Sequence, residues 1–183
     1  MKIKNAEQEV TAFGTGAERE EKVDKGRFDL LPPAAYQTAT QGILKDFTWP
    51  QVYAATAHLL DFQTVEKLEE NLRVMCTLAW IITKKHDKEL PLKALAVHFE
   101  QGGRNRGNDN WKKGIPLSSF ISSGLRHMEQ CHAGLEDEPH HRAFLWNMVS
   151  GLQTLLWVGE GRLPDSLLDV GQNSTQMLYG KEK

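Results

Sequence analysis

An all-α helical bundle is the fold class this sequence predicts, and three observations predict it. Apolar residues recur at helical spacing over most of the chain, strand-like alternation is almost absent, and the candidate helices are separated by turns rich in glycine and proline. With 183 residues, 40% of them hydrophobic, the chain can bury one proper core, so a single domain with extensions is expected.

Taken in order, residues 1–33 read as an irregular N-terminal arm. Its first part is polar, charged and punctuated by glycine, and it ends in KGRFDLLPP, where two prolines rule out helix at Leu31 and Phe28 and Leu30 can dock onto the domain. A helix, AAYQTATQGILKDF, follows. Residues 51–85 then form the longest helical territory, read as one long helix with Leu68, Leu72, Met75, Ala79 and Ile82 on its main stripe. Glu66, Glu69 and Glu70 face the other way and read as a solvated face rather than a metal site. Leu59, Leu60, Phe62 and Val65 add apolar surface away from that stripe, which predicts self-association into a homo-oligomer.

After a turn at KELP, the helix LKALAVHFEQGG is expected to stop near Gly102 and Gly103. A loop leads to a helix beginning after Pro116, with Ser118 as its N-cap and Phe120, Ile121, Leu125 and Met128 on its apolar stripe. Asp137, Glu138 and Pro139 open the next helix in the order that suits the positive end of its dipole, and Phe144, Leu145, Met148, Leu152 and Leu155 continue it as a buried face. Residues 34–158 thus make up the helical domain, and 159–183 a loosely docked C-terminal extension.

Charge and cysteine usage narrow the function. Lys and Arg number 22 against 24 Asp and Glu, a formal charge of -2, which argues against broad binding to a nucleic-acid backbone. The two cysteines, Cys76 and Cys131, have no metal-type spacing and suit a reduced compartment. The N-terminus lacks the apolar segment of a signal peptide, and no apolar run approaches the roughly 20 residues of a membrane helix. A soluble, cytoplasmic protein with no membrane partner is expected.

The chemistry concentrates between His98 and Asn147, which holds five of the seven histidines. His140 and Asn147 are seven residues apart and share a helix face, while Ser119, Ser123, Arg126 and Gln130 line up on the preceding helix with His127 one residue round. Glu100 ends its helix beside the loop with Arg104, Arg106, Lys112 and Lys113, and Asp137 adds a second carboxylate at the start of the third helix of this stretch. Hard oxygen ligands beside cations are what a metal-assisted phosphate site requires, and an interhelical salt-bridge network with a buried Asn and His would use the same residues.

KGRFDLLPP, HFEQGG, NWKKGIPLS, SGLRH, DEPHH and WN, in that order, resemble the phage family of dATP/dGTP diphosphohydrolase N-terminal domains, which is similar to the MazG-like all-α nucleotide pyrophosphohydrolases. The resemblance implies an oligomeric, Mg²⁺-dependent enzyme that splits a purine deoxynucleoside triphosphate into monophosphate and pyrophosphate. It makes residues 34–158 a nucleotide-binding domain in which 51–85 is an insertion. Glu100 and Asp137 would hold Mg²⁺, Lys113 and Arg126 would stabilise developing charge, and His127 or His140 would position the attacking water. Lys25, Arg27, Asn110, Trp111, Lys113, Arg126 and Asn147 would bind the nucleotide. MazG-like enzymes pair carboxylates as ExxE and ExxD, whereas here Glu100 is followed by Gly103. A catalytically inactive phage protein that sequesters a nucleotide or a nucleotide-derived defence signal is therefore the alternative.

Overall fold

The structure, a computed structural model, describes residues 10–12, 18–20, 26–40 and 46–171. Among the described residues, six α-helices make up the domain: α1 (Pro33–Thr40), α2 (Trp49–Leu60), α3 (Val65–His86), α4 (Pro91–Arg106), α5 (Leu117–His132) and α6 (His140–Gly159). The protein is an all-α helical bundle. In the arm, two short strands, β1 (Val10–Ala12) and β2 (Glu18–Glu20), pair antiparallel with Val10 opposite Glu20. No helix among the described residues is long and apolar enough to cross a membrane.

The bundle is assembled around α6. Its sequence is apolar or small on nearly every face, and most of its residues are buried, as the physics of an all-round apolar helix requires. It pairs most extensively with α5, then with α3, α4 and α1. Phe144, Leu145, Met148 and Leu152 are fully buried, as their spacing predicts, and so are Phe120, Leu117 and Met128 on α5. Two glycines let α5 and α6 approach closely. A Cβ on Gly124 would stand 2.2 Å from Met148 Cε, and one on Gly151 3.2 Å from Phe120 Cβ.

The 51–85 territory is two helices, α2 and α3, and not the single long helix its periodicity predicts. The chain turns at Asp61–Thr64, where the Thr64 hydroxyl caps α3 by accepting from the Lys67 N–H at 3.2 Å. Folding α2 back on α3 buries Leu59 completely and half-buries Phe62 and Val65, so much of the surplus apolar surface is used within the chain. Leu60 stays 60% exposed. Glu69 and Glu70 pair with Arg73 and Lys67 on the solvated face of α3.

Helix α4 also departs from expectation. It runs through Gly102 and Gly103 to Arg106, and the left-handed residue is Gly107 (φ 88°). The next helix starts at Leu117, and Ser118 is not its cap; the Ser118 N–H and hydroxyl both donate to the Asp169 carboxylate. Together with buried Leu168, and with Leu167 against Gly114, this contact lays residues 163–169 on the domain.

The arm motif reaches the domain through backbone contact with α4. The Gly26 N–H donates to Glu100 Oε2 at 2.8 Å, and the Arg27 N–H donates to the Ala96 carbonyl at 3.1 Å. Gly26 sits at φ 85°, and a Cβ there would lie 2.9 Å from Ala96 Cβ and 3.2 Å from the Val97 nitrogen. Strain and overlap coincide, so Gly26→Ala is expected to lower unfolding free energy by about 1–3 kcal/mol. Gly107→Ala, which meets nothing within 4 Å, carries only the strain. Denaturant melts of both variants check this; equal losses would mean that the arm does not rest on α4 in solution.

Candidate functional site

The turn between α5 and α6 and the start of α6 bring two histidines face to face. His140, in the first turn of α6, is 1% exposed, and His127, in the last turns of α5, is 6% exposed. Their Nδ1 atoms are 3.1 Å apart. Glu138, in the turn, places Oε1 3.4 Å from His127 Nδ1 and 3.3 Å from His140 Nδ1. Among the described residues, His127, Glu138 and His140 form a group of ligand-type atoms that converge within 4.8 Å of one another.

Outer contacts fix the tautomers. Asp137 Oδ1 lies 2.8 Å from His140 Nε2, and a carboxylate can only accept, so that nitrogen carries the proton and Nδ1 presents a lone pair. Arg126 Nη2, a donor, lies 3.0 Å from His127 Nε2, which leaves the His127 proton on Nδ1, facing His140. Burial, followed by the charge of Arg126, pulls the His127 pKa below its ordinary value, against the opposing pull of Glu138. The hydrogen bond from His140 lowers the Asp137 carboxyl.

A separate feature is an open cleft of about 110 Å³, lined by His98, Phe99, Gly103, Arg106, Asn108, Asn110, Trp111 and Trp146 among others. Part of the lining is aromatic: Trp146 is 6.0 Å from Phe99 and 5.8 Å from His98 between ring centroids. The lining also includes Arg106 at the end of α4, Asn108 in the loop that follows, and Asn110 and Trp111 of a short 3-10 turn, Asn110–Lys113. His98 lines the cleft and lies in the field of His127. Its Nδ1 is buried without a hydrogen-bond partner among the described residues. Burial, helped by the positive fields of His127, Arg142 and His141, holds its pKa down at about 4, so it is neutral near pH 7.

The residues singled out in the sequence are distributed unevenly around these features. His127, His140, Arg126 and Asp137 come together. Asn110 and Trp111 line the cleft, although Trp111 is only 5% exposed, with its face stacked on Trp157 at 5.2 Å. Lys113 is exposed in the same 3-10 turn. Asn147 is buried and donates to the Ala143 carbonyl of its own helix, facing Gly124 across the α5–α6 contact. Arg27 is forked onto Asp29 at 2.7 and 2.6 Å. Lys25 lies outside the described residues.

Glu100 and Asp137, the expected metal pair, have different neighbours. Glu100 is buried and receives the Gly26 N–H on Oε2 and Arg104 Nη2, at 2.5 Å, on Oε1. Both oxygens are thus engaged by donors, whereas Asp137 is exposed and serves His140. The two carboxylates thus serve different partners in this structure.

Sequence reading did not assign roles to His98, Asn108, Glu138 or Trp146. The HFE and WN motifs flagged His98 and Trp146 without showing that they face each other across α4 and α6. Glu138 read as a helix-opening charge, because spacing does not reveal which way a turn residue points. No curated protein and no solved structure matches the chain. Residues 88–159, from the turn before α4 to the end of α6, match the family model dATP/dGTP diphosphohydrolase, N-terminal, so over this segment the chain is similar to that family.

Proposed function

We propose that the chain is a pyrophosphohydrolase for a purine deoxynucleoside triphosphate, giving the monophosphate and pyrophosphate. The observation that carries this reading is a cleft whose lining combines aromatic rings with Arg106, Asn108 and Asn110, within the segment that matches the family. A base can lie against Trp146 and Phe99, and the triphosphate can run toward Arg106, with Asn108 and Asn110 donating to its oxygens. His98 Nδ1, buried and unpartnered, costs about 1–3 kcal/mol until something bonds it, and a nucleotide amine or oxygen would do so. In hydrolysis, water attacks the α-phosphorus and the bond to the α,β-bridging oxygen breaks, so that pyrophosphate leaves with the electron pair. Mg²⁺ enters this reading with the triphosphate, as phosphate-bound Mg²⁺ commonly does.

The engagement of both Glu100 oxygens favours a second reading, a protein that sequesters a nucleotide without cleaving it. Incubation with each of the four deoxynucleoside triphosphates and Mg²⁺, following pyrophosphate and monophosphate, separates the two. The enzyme reading expects turnover of dATP or dGTP, with Arg106→Gln lowering kcat/KM about tenfold or more. Tight binding with no pyrophosphate released would replace it by sequestration.

A further inference from the structure

We propose that His127, Glu138 and His140 form a mononuclear centre for a divalent first-row transition ion of the Mn²⁺, Co²⁺ or Zn²⁺ class, with Asp137 orienting His140. Three atoms carry this. His127 Nδ1, His140 Nδ1 and Glu138 Oε1 are vertices of a triangle with edges of 3.1, 3.3 and 3.4 Å. Bonds of about 2.1 Å, usual for imidazole and carboxylate on such ions, require neighbouring ligand atoms about 3.0 Å apart in an octahedron and about 3.4 Å in a tetrahedron. All three edges fall in that interval, so one ion can cap the triangle with little movement of the protein.

The His127 Nδ1–H, shared between His140 Nδ1 and Glu138 Oε1, can explain two edges. It does not account for the third, a carboxylate oxygen 3.3 Å from the lone-pair nitrogen of His140. The contact behind His140 points the same way. Asp137 accepts from His140 Nε2 at 2.8 Å, an arrangement that directs the Nδ1 lone pair at the triangle, as carboxylate partners of metal-bound histidines do. Both rings are buried, while the Glu138 side chain is 49% exposed, which leaves a route in and room for water or substrate oxygens on the open side. His127 must move its proton from Nδ1 to Nε2 for the ion to bind. Arg126, which now donates to that Nε2, is exposed and can turn away.

Ligand chemistry selects the ion. Two imidazole nitrogens and one carboxylate suit borderline transition ions, whereas Mg²⁺ prefers an all-oxygen shell. The family resemblance led to Mg²⁺ on Glu100 and Asp137; the geometry points to a different ion on different side chains. Binding to this centre needs no nucleotide, so it stands or falls separately from the proposed hydrolysis.

The test is a titration of the tag-free, chelator-stripped full chain with Co²⁺, followed by visible absorption and calorimetry. One equivalent is expected to saturate the chain with a visible ligand-field band, and a roughly hundredfold excess of Mg²⁺ should not displace it. Glu138→Gln, which keeps shape and fold, is expected to weaken binding at least tenfold, and Asp137→Asn about 10–100-fold. His140→Ala should abolish it; if that variant does not fold, Glu138→Gln alone decides. Absence of saturable Co²⁺ binding, or binding unaltered by Glu138→Gln, overturns the proposal.

Discussion

Replacing Asp87 by alanine is expected to destabilise the protein by about 3 kcal/mol, although the residue lies outside the cleft. Asp87 ends α3 and its side chain is 4% exposed. One oxygen receives Arg142 Nε at 2.6 Å and faces His141 Nε2 at 3.0 Å; the other receives Arg142 Nη2 at 3.2 Å and the Glu89 N–H at 3.0 Å. Nearby, the Thr83 hydroxyl donates to the His141 carbonyl at 3.0 Å. The end of α3 is thereby tied to the first turn of α6, the turn that presents His140. Removing the carboxylate leaves Arg142 and His141 largely buried without a counter-charge. The loss is set at the low end for broken buried pairs because Arg142, at 20% exposure, keeps some water.

The pH dependence of that loss has a definite sign. Burial opposes ionisation of Asp87, but the Arg142, Glu89 N–H and His141 contacts outweigh it and hold the carboxyl at about 2, below its ordinary 3.8. A depressed carboxyl stabilises the fold above its ordinary value, and the stabilisation fades as pH falls through the folded value. The gap between wild type and Asp87→Asn in denaturant melts should therefore be full at pH 7 and narrow between about pH 4 and pH 2. A gap that stays constant down to pH 2 would mean that the effect is packing and not charge.

Much of this fold was legible because periodicity reports burial. Phe120, Ile121 and Met128 on α5, and Phe144, Leu145 and Met148 on α6, are buried as their spacing predicts. The division of 51–85 was obscured because Leu59, Leu60, Phe62 and Val65 carry an apolar signal across the turn, masking the Thr64 cap. Gly102 and Gly103 misled for a different reason. Local propensity says stop, but at Gly103 the helix needs the missing side chain: a Cβ would meet Asn108 Oδ1 at 2.5 Å where the loop folds back. The site was legible in part. His127 and His140 are thirteen residues apart and meet only because α5 and α6 pair, and Glu138 joins them through a turn whose direction no spacing rule encodes. The backbone partner of Glu100 was not legible, because it comes from the arm, 74 residues away: once Gly26 lies on α4, its N–H donates to the carboxylate.

Trp111→Ala is expected to have the largest effect of any single change at the cleft, costing about 3–5 kcal/mol of stability. The ring is 5% exposed, stacked on Trp157 at 5.2 Å and 13°, and set edge-on to Phe99 at 5.5 Å. Truncation leaves a void beneath the short 3-10 turn that carries Asn110 and Lys113, and the turn has no other large side chain to hold it down. Nucleotide affinity should fall with stability, because Asn110 would no longer be held at the rim of the cleft. Trp111→Phe separates the two effects. It keeps an aromatic face against Trp157 and removes an indole Nε1 that is buried without a partner among the described residues, so its loss should be well under half that of alanine. If Trp111→Phe retains nucleotide binding while Trp111→Ala loses it at a temperature where both are folded, Trp111 acts by supporting the cleft. Should Trp111→Phe lose binding with its stability intact, the indole contacts the nucleotide directly, and the turn must open to expose it.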